Sequence, residues 1–317
     1  MVGLPHTKVS VVGAGSVGAS MAYAMLIRQS AREVVLYDIN TAKVTAEVLD
    51  LAHGTQFTGS SVIGGGSDIS LTAGSDVIVI TAGAKQNPGQ TRLELAGVNF
   101  GILKSLLPSL LEHSPDAIIL LVTNPCDVLA TAAVRLTGLP ANRIFSSGTV
   151  LDTSRLRWLL ADRLGVSTSS VHANIIGEHG DSEFALWSSA AIGPVALSDW
   201  READGSVLSA DELNAVAALV KNAAYRVIEG KGATNFAIGL SGARIVEAIL
   251  NDENAILPVS SVLADYHGVS GLAMSVPTLV NRTGAAERIL VSMNDAELVL
   301  FKKSADAIAH SLEQLGL

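Results

Sequence analysis

Two short segments carry side chains that together could hold a carboxylate and move a proton. In Leu151-Asp152-Thr153-Ser154-Arg155-Leu156-Arg157 an aspartate precedes an arginine by three residues, so a helix would set Asp152 and Arg155 on one face. In Gly177-Glu178-His179-Gly180-Asp181-Ser182 a histidine stands beside glycines that allow the main chain to approach a ligand. An aspartate bonded to one imidazole nitrogen would fix the tautomer and favour the protonated ring. An arginine beside it presents a planar fork that grips a carboxylate through two hydrogen bonds. Singly, each has a plainer reading. An isolated histidine is more often structural, and Asp152 with Arg155 also reads as an intrahelical ion pair.

A third segment points to a dinucleotide. Gly13-Ala14-Gly15-Ser16-Val17-Gly18 follows an apolar run and opens a helix-length stretch, the context in which this glycine spacing has meaning. Gly13 would permit the tight turn, Gly15 the approach of a pyrophosphate and Gly18 the close packing of helix on strand. The helix N-terminus would offer unpaired N–H groups to the phosphates. A glycine-rich turn also serves packing alone. Asp38 adds weight, because it ends the next apolar run twenty residues beyond Gly18, where an acid accepts hydrogen bonds from the adenosine ribose and repels a 2′-phosphate. NAD is therefore expected over NADP, with an ordinary strand-end turn as the alternative role for Asp38.

The elements that must position these residues form a regular series. Lys8–Val12, Glu33–Tyr37, Asp76–Thr81, Ala117–Val122 and Arg143–Phe145 read as strands; Ser16–Gln29, Thr41–Ala52, Arg92–Glu112 and Asp127–Leu136 read as helices. Such alternation predicts an α/β fold with a doubly wound parallel sheet of the Rossmann type, whose ligands sit beyond the carboxyl ends of the strands. After about Thr149 the pattern becomes mixed, with helices at Asp152–Leu164, Asp211–Glu229, Gly239–Leu250 and Asp295–Leu315 and short strands between. We therefore expect a dinucleotide-binding domain over residues 1–149 and a mixed α+β catalytic domain over 150–317.

Composition sets outer limits. A chain of 317 residues, 49% hydrophobic and 16% charged, has the core of a globular protein with two domains. The uncharged run Val9–Ile27 is long enough to raise a membrane helix. Its three glycines at fixed spacing favour a strand, a turn and a helix instead, so no membrane partner is expected. The net charge of −9 without a Lys/Arg-rich stretch argues against nucleic acid. A lone cysteine, Cys126, cannot form an intrachain disulfide, which suits a cytoplasmic location, and no Cys/His cluster has metal-ligand spacing, so no metal is expected.

With these residues assembled, the chain resembles the lactate/malate dehydrogenase superfamily, and within it the L-lactate dehydrogenases, over essentially its whole length. The resemblance rests on the Gly13 to Gly18 turn, on Thr81-Ala82-Gly83-Ala84-Lys85-Gln86-Asn87-Pro88-Gly89-Gln90-Thr91-Arg92, on Thr123-Asn124-Pro125, on Asp152 to Arg157, on Gly177 to Asp181 and on Lys231-Gly232-Ala233-Thr234. It implies that His179 exchanges the proton, Asp152 orients it, Arg155 clamps the substrate carboxylate, and Arg92 polarises the carbonyl from a loop that closes over the site. Asn124 would bond near the reacting oxygen and the nicotinamide ribose. Thr234 and Ile238 would line the pocket, and Val17, Lys43, Thr81 and Gly83 would join the cofactor contacts. A cis bond is implied at Asn124-Pro125.

Within the superfamily the residue facing the substrate side chain is decisive, and the resemblance places Gln86 there. Malate enzymes carry an arginine against the second carboxylate; beside a glutamine that carboxylate would be buried unpaired, at a cost of several kcal/mol. The expected pair is pyruvate and L-lactate, with malate dehydrogenase as the alternative. NAD-dependent glycosidases hold a metal through Cys and His, and Cys126 has no histidine near it in sequence. A silent NAD-binding scaffold is disfavoured by the full catalytic set. Arg157 and His172 match the positions that bind fructose-1,6-bisphosphate across a two-fold axis in activated bacterial lactate dehydrogenases. That resemblance implies a homotetramer with this effector.

Overall fold

The computed structural model describes residues 6–84 and 92–317, with the side chains of Arg92 and Leu93 left aside. Its first half is built from β1 (Lys8–Val12), α1 (Ser16–Arg28), β2 (Glu33–Tyr37), α2 (Thr41–Gly54), β3 (Val62–Gly66), β4 (Val77–Ile80), α3 (Arg92–His113), β5 (Ile118–Leu121), α4 (Cys126–Thr137), β6 (Ile144–Ser146) and α5 (Val150–Leu164). Six parallel strands lie in the order β6-β5-β4-β1-β2-β3. The strand order reverses between β1 and β4, so the crevice at the carboxyl ends of these two strands is where a ligand is expected.

Both faces of this sheet are covered, and its strands alternate between two cores. Val9, Val11, Val77, Val79, Ile118 and Leu120 pack with Met21 and Met25 of α1 and with the helix Phe236–Leu250. Val12, Ile78, Ile80, Ile119 and Leu121 pack with Leu103, Leu107 and Leu110 of α3 and Leu129 of α4. Burial on both sides explains why β4 and β5 are apolar throughout and β1 largely so.

The sheet is larger than the sequence reading foresaw. β3 has the sequence VIGGG, whose glycines carry no strand signal; its Gly65 is nevertheless required, because a Cβ there would stand 2.0 Å from Leu36 O. At the other edge two antiparallel strands from the second half, Ser260–Val262 and Ala273–Ser275, extend the sheet to eight. The second half adds small antiparallel sheets and the helices α6 (Ala210–Lys231), α7 (Phe236–Leu250) and α8 (Asp295–Gln314). No helix among the described residues is long and apolar enough to cross a membrane.

Candidate active site

The glycine turn lies at the topological switch point. Gly13 has φ +109°, a conformation open mainly to glycine, and donates its N–H to Tyr37 O at 2.7 Å. A Cβ on Gly18 would stand 1.8 Å from Gly13 O, so this glycine lets α1 pack on its own turn. Gly15 differs. A Cβ there would meet no atom within 4 Å, and no side chain caps α1 at this position. The space and the first N–H groups of the helix suit the phosphates of a dinucleotide. Asp38, at the end of β2, accepts Ala14 N–H at 2.7 Å and Asn40 N–H at 2.9 Å. It thus ties the turn to β2 and also closes the strand-end turn weighed as its alternative role, with lone pairs remaining for ribose hydroxyls.

The other residues assigned to the cofactor lie on α1 and α2, in the segment after β4, and on α7. Thr81 donates to Gly13 O at 3.0 Å from the end of β4. Gly83 is needed where a Cβ would press on Thr123 Cγ2 at 2.3 Å. Val17 is partly buried against the core, and Lys43 is exposed on α2. Ile238 lies in the first turn of α7, which crosses α1 so closely that a Cβ on Gly239 would meet Ser20 O at 2.9 Å. Asn235 secures the crossing with a 2.7 Å hydrogen bond to Ser20 Oγ, placing the neighbouring Thr234 beside α1.

Asp152, Arg155 and His179 come together as one chain of hydrogen bonds. Asp152 is 1% exposed, and one of its oxygens lies 2.7 Å from His179 Nδ1 while the other accepts Arg155 at 2.6 Å. Helical spacing supplies the second contact; a fold spanning 27 residues supplies the first. Burial opposes charge on the ring, but the charge and hydrogen bond of Asp152, joined by Glu183 and Asp127, push the His179 imidazole up to about 9. Burial likewise opposes charge on Asp152, yet His179 and Arg155 hold it below its ordinary value. With Nδ1 engaged, Nε2 is the nitrogen left to exchange a proton with a ligand.

The main chain of the histidine turn is equally constrained. Gly177 exchanges two 2.9 Å hydrogen bonds with Ser275, Glu178 N–H donates to Ser304 Oγ of α8 at 2.6 Å, and His179 N–H donates to Asp127 Oδ2 of α4 at 2.7 Å. Neither Asp127 nor Ser304 was foreseen from the sequence. Glu183 was missed as well. Burial and the charge of Asp152 raise its carboxyl to about 8, against the cations His179, Arg155 and Lys221. Asp152, His179 and Glu183 are close enough to share a cation, but Arg155 and the protonated ring already bring positive charge to this point.

Asn124 is exposed at the head of α4 and follows β5; the Asn124-Pro125 bond is cis. Asn99, buried on α3, was not foreseen either: it accepts Ala84 N–H and donates to Asn124 O, both at 2.7 Å. It thereby joins the end of the β4 loop to the Asn124 corner. Arg92 begins α3, and Gln86 lies outside the described residues. Arg157 turns away from Arg155, its Nε donating to Ala173 O at 2.9 Å and its terminal nitrogen to Asn174 Oδ1 at 3.2 Å. His172, next to Ala173, is exposed.

Comparison with known proteins agrees with this geometry. Residues 7–146 match the lactate/malate dehydrogenase NAD-binding domain, and residues 149–315 match the α/β C-terminal domain of the same enzymes. The chain belongs to the lactate/malate dehydrogenase family. It is an NAD-dependent oxidoreductase of that family. The chain is 50% identical to an L-lactate dehydrogenase of Bifidobacterium animalis subsp. lactis, covering 98% of this chain and 97% of that one. It is 43% identical to L-lactate dehydrogenase 1 of Clostridium acetobutylicum, covering 98% and 99%. Among solved structures, a lactate dehydrogenase from a Medee basin deep-sea metagenome library superposes with a TM-score of 0.94 at 36% identity, covering 98% of this chain and 99% of that one. The minor L-lactate dehydrogenase of Enterococcus mundtii gives 0.93 at 38%, covering 97% and 98%.

Proposed function

We propose that this family member is an L-lactate dehydrogenase that interconverts pyruvate and L-lactate, with residues 1–149 serving NAD and residues 150–317 serving the substrate. The observation that carries the chemistry is the Arg155–Asp152–His179 chain, which pairs a carboxylate-binding fork with a proton-exchanging ring. NAD, when bound, supplies the nicotinamide that exchanges a hydride. Arg155 holds the substrate carboxylate through the N–H groups that Asp152 leaves open. In reduction, protonated His179 gives its Nε2 proton to the carbonyl oxygen; in oxidation the neutral ring takes the hydroxyl proton. Asp152 stays charged in both directions and stabilises the imidazolium. Arg92 supports the developing oxygen charge, Asn124 bonds nearby, and Thr234 and Ile238 shape the wall.

Gln86 and the curated relatives, named as L-lactate dehydrogenases, favour pyruvate over oxaloacetate. Steady-state reduction of the two keto acids with NADH tests this. Pyruvate should give the higher kcat/KM, and Gln86→Arg should move the ratio toward oxaloacetate by supplying a partner for the second carboxylate. A natural protein that prefers oxaloacetate would overturn the assignment.

The finer reading is a cytoplasmic homotetramer activated by fructose-1,6-bisphosphate at Arg157 and His172. Its support is that Arg157 bonds the carbonyl of Ala173, next to His172, while Arg155 bonds Asp152 instead. The anion would offset charges clustered at a two-fold interface and favour the state with Arg155 well placed. Pyruvate saturation curves should shift to lower concentration with the bisphosphate, and the shift should shrink in Arg157→Gln. Superimposable curves for the natural protein would reject the effector.

A further inference from the structure

We propose that Asp127 is a second positioning carboxylate of the active site, holding the main chain of His179 from α4 while Asp152 holds the ring from α5. The inference rests on the reading of His179 as the proton-exchanging group. Asp127 is 2% exposed, and its Oδ2 accepts the His179 N–H at 2.7 Å across 52 residues of sequence. Its carboxylate otherwise faces only the buried Ser260 hydroxyl among the neutral side chains acting on it. A carboxylate buried this deeply is costly, and packing alone would be served as well by a neutral residue.

Position gives the charge a purpose. Asp127 sits in the first turn of α4, three residues beyond Asn124, where the helix dipole favours an anion. The corner at Asn124 thus leads directly into the turn of α4 from which Asp127 reaches the backbone of the acid–base residue. The two aspartates act on different parts of the same histidine. Asp152 fixes ring orientation and tautomer, whereas Asp127 fixes the height of the Cα from which the ring projects.

The charged neighbours define how the pair titrates. His179 faces Asp127, Asp152 and Glu183; Asp127 faces His179, Glu178 and the Ser260 hydroxyl; Arg155 and Lys221 act on Glu183 from α5 and α6. Burial raises the Asp127 carboxyl to about 6, with Glu178 adding to it and Ser260 and His179 opposing. Above that pH its negative charge favours the imidazolium. Removing the charge lowers the histidine's proton affinity even where the hydrogen bond to the main chain survives.

Asp127→Asn and Asp127→Ala separate these effects. The asparagine keeps an acceptor and loses the charge; the alanine loses both. In pyruvate reduction, Asp127→Ala should lower kcat by about ten- to a hundredfold, the scale of a misplaced catalytic group, while NADH affinity stays within about twofold by the same reasoning. Asp127→Asn should recover most of kcat at about pH 6, but its loss of activity on raising the pH should come about one unit earlier. Titration of the His179 ring by NMR in the ligand-free protein should show the same displacement, whether or not pyruvate is the substrate. An unmoved ring titration in Asp127→Asn would overturn the proposal, even with kcat lowered in the alanine variant. So would a folded Asp127→Ala with natural kcat. Should the alanine variant fail to fold, the ring titration in Asp127→Asn decides alone. A natural protein without pyruvate turnover but with the displaced ring titration would refute the substrate and leave the positioning role standing.

Discussion

The turn at Gly13 and the turn at His179 both follow a strand and both depend on glycine, yet they are held in opposite ways. The first is defined locally: Gly18 closes on Gly13 O, six residues span the motif, and Tyr37, Asp38 and Thr81 join it from the ends of the two flanking strands. The second is suspended between remote elements, with Ser275 pairing twice with Gly177 and Ser304, Asp127 and Asp152 each taking one group. A phosphate site needs mainly unhindered N–H groups, which a short motif provides. A proton-exchanging ring needs a set position and a set proton affinity, and both require charges that only the folded chain assembles.

The strongest test of the contrast is at its centre. His179→Asn should lower turnover by about 10²- to 10⁴-fold, the range for general acid–base catalysis, while fluorescence titration shows NADH binding unchanged. Equal loss of both would mean that the two turns are not separable. The pH dependence follows from the same ring. Pyruvate reduction needs the protonated form, so its rate should hold at low pH and fall as pH rises through about 9, whereas lactate oxidation should rise over that range. A reduction rate that grows between pH 8 and 10 would contradict the assignment.

Within the glycine turn, Gly18→Ala and Gly15→Ala should part company. The first forces a Cβ onto Gly13 O and should destabilise the protein by about 3 kcal/mol, read as a lowered denaturation midpoint. The second has open space, so the midpoint should stay and NADH affinity should drop by about tenfold, or roughly 1.4 kcal/mol. A matched loss of stability in both variants would show that Gly15 serves packing rather than the phosphates. The smallest effect is expected at one tether of the histidine turn: Ser304→Ala removes the acceptor for Glu178 N–H and should cost about 1 kcal/mol of stability with kcat lowered by about twofold.

The same contrast explains what was legible in the sequence. β1, β2, β4 and β5 announced themselves because strands buried on both faces are apolar along most of their length. β3 did not, since its three glycines lack strand propensity, and of them Gly65 is called for by its close approach to Leu36 of β2. Asp38 was found by its distance from Gly18, and Asp152 by its helical spacing from Arg155. Asp127 looked like an ordinary acid at a helix start, and Glu183, Asn99 and Ser304 belonged to no pattern. Their contacts span 15 to 126 residues in the cases of Asn99 and Ser304, a separation at which periodicity carries no information.

The two strands that the second half lends to the large sheet have a mechanical consequence. Ser260 pairs with Ser146 of β6, and Ala273–Ser275 completes the edge beyond it. Cleaving the chain after residue 149 would leave β6 as a raw edge, with unpaired N–H and C=O groups that invite a foreign strand. Neither half is therefore a free-standing module, and heating should melt them together in one calorimetric transition. Nor can the halves swing apart like jaws, because a hinge would have to break the Ser260–Ser146 pairing and lift α7 from α1. Admission and release of ligand must be managed by smaller pieces moving over a frame that does not open.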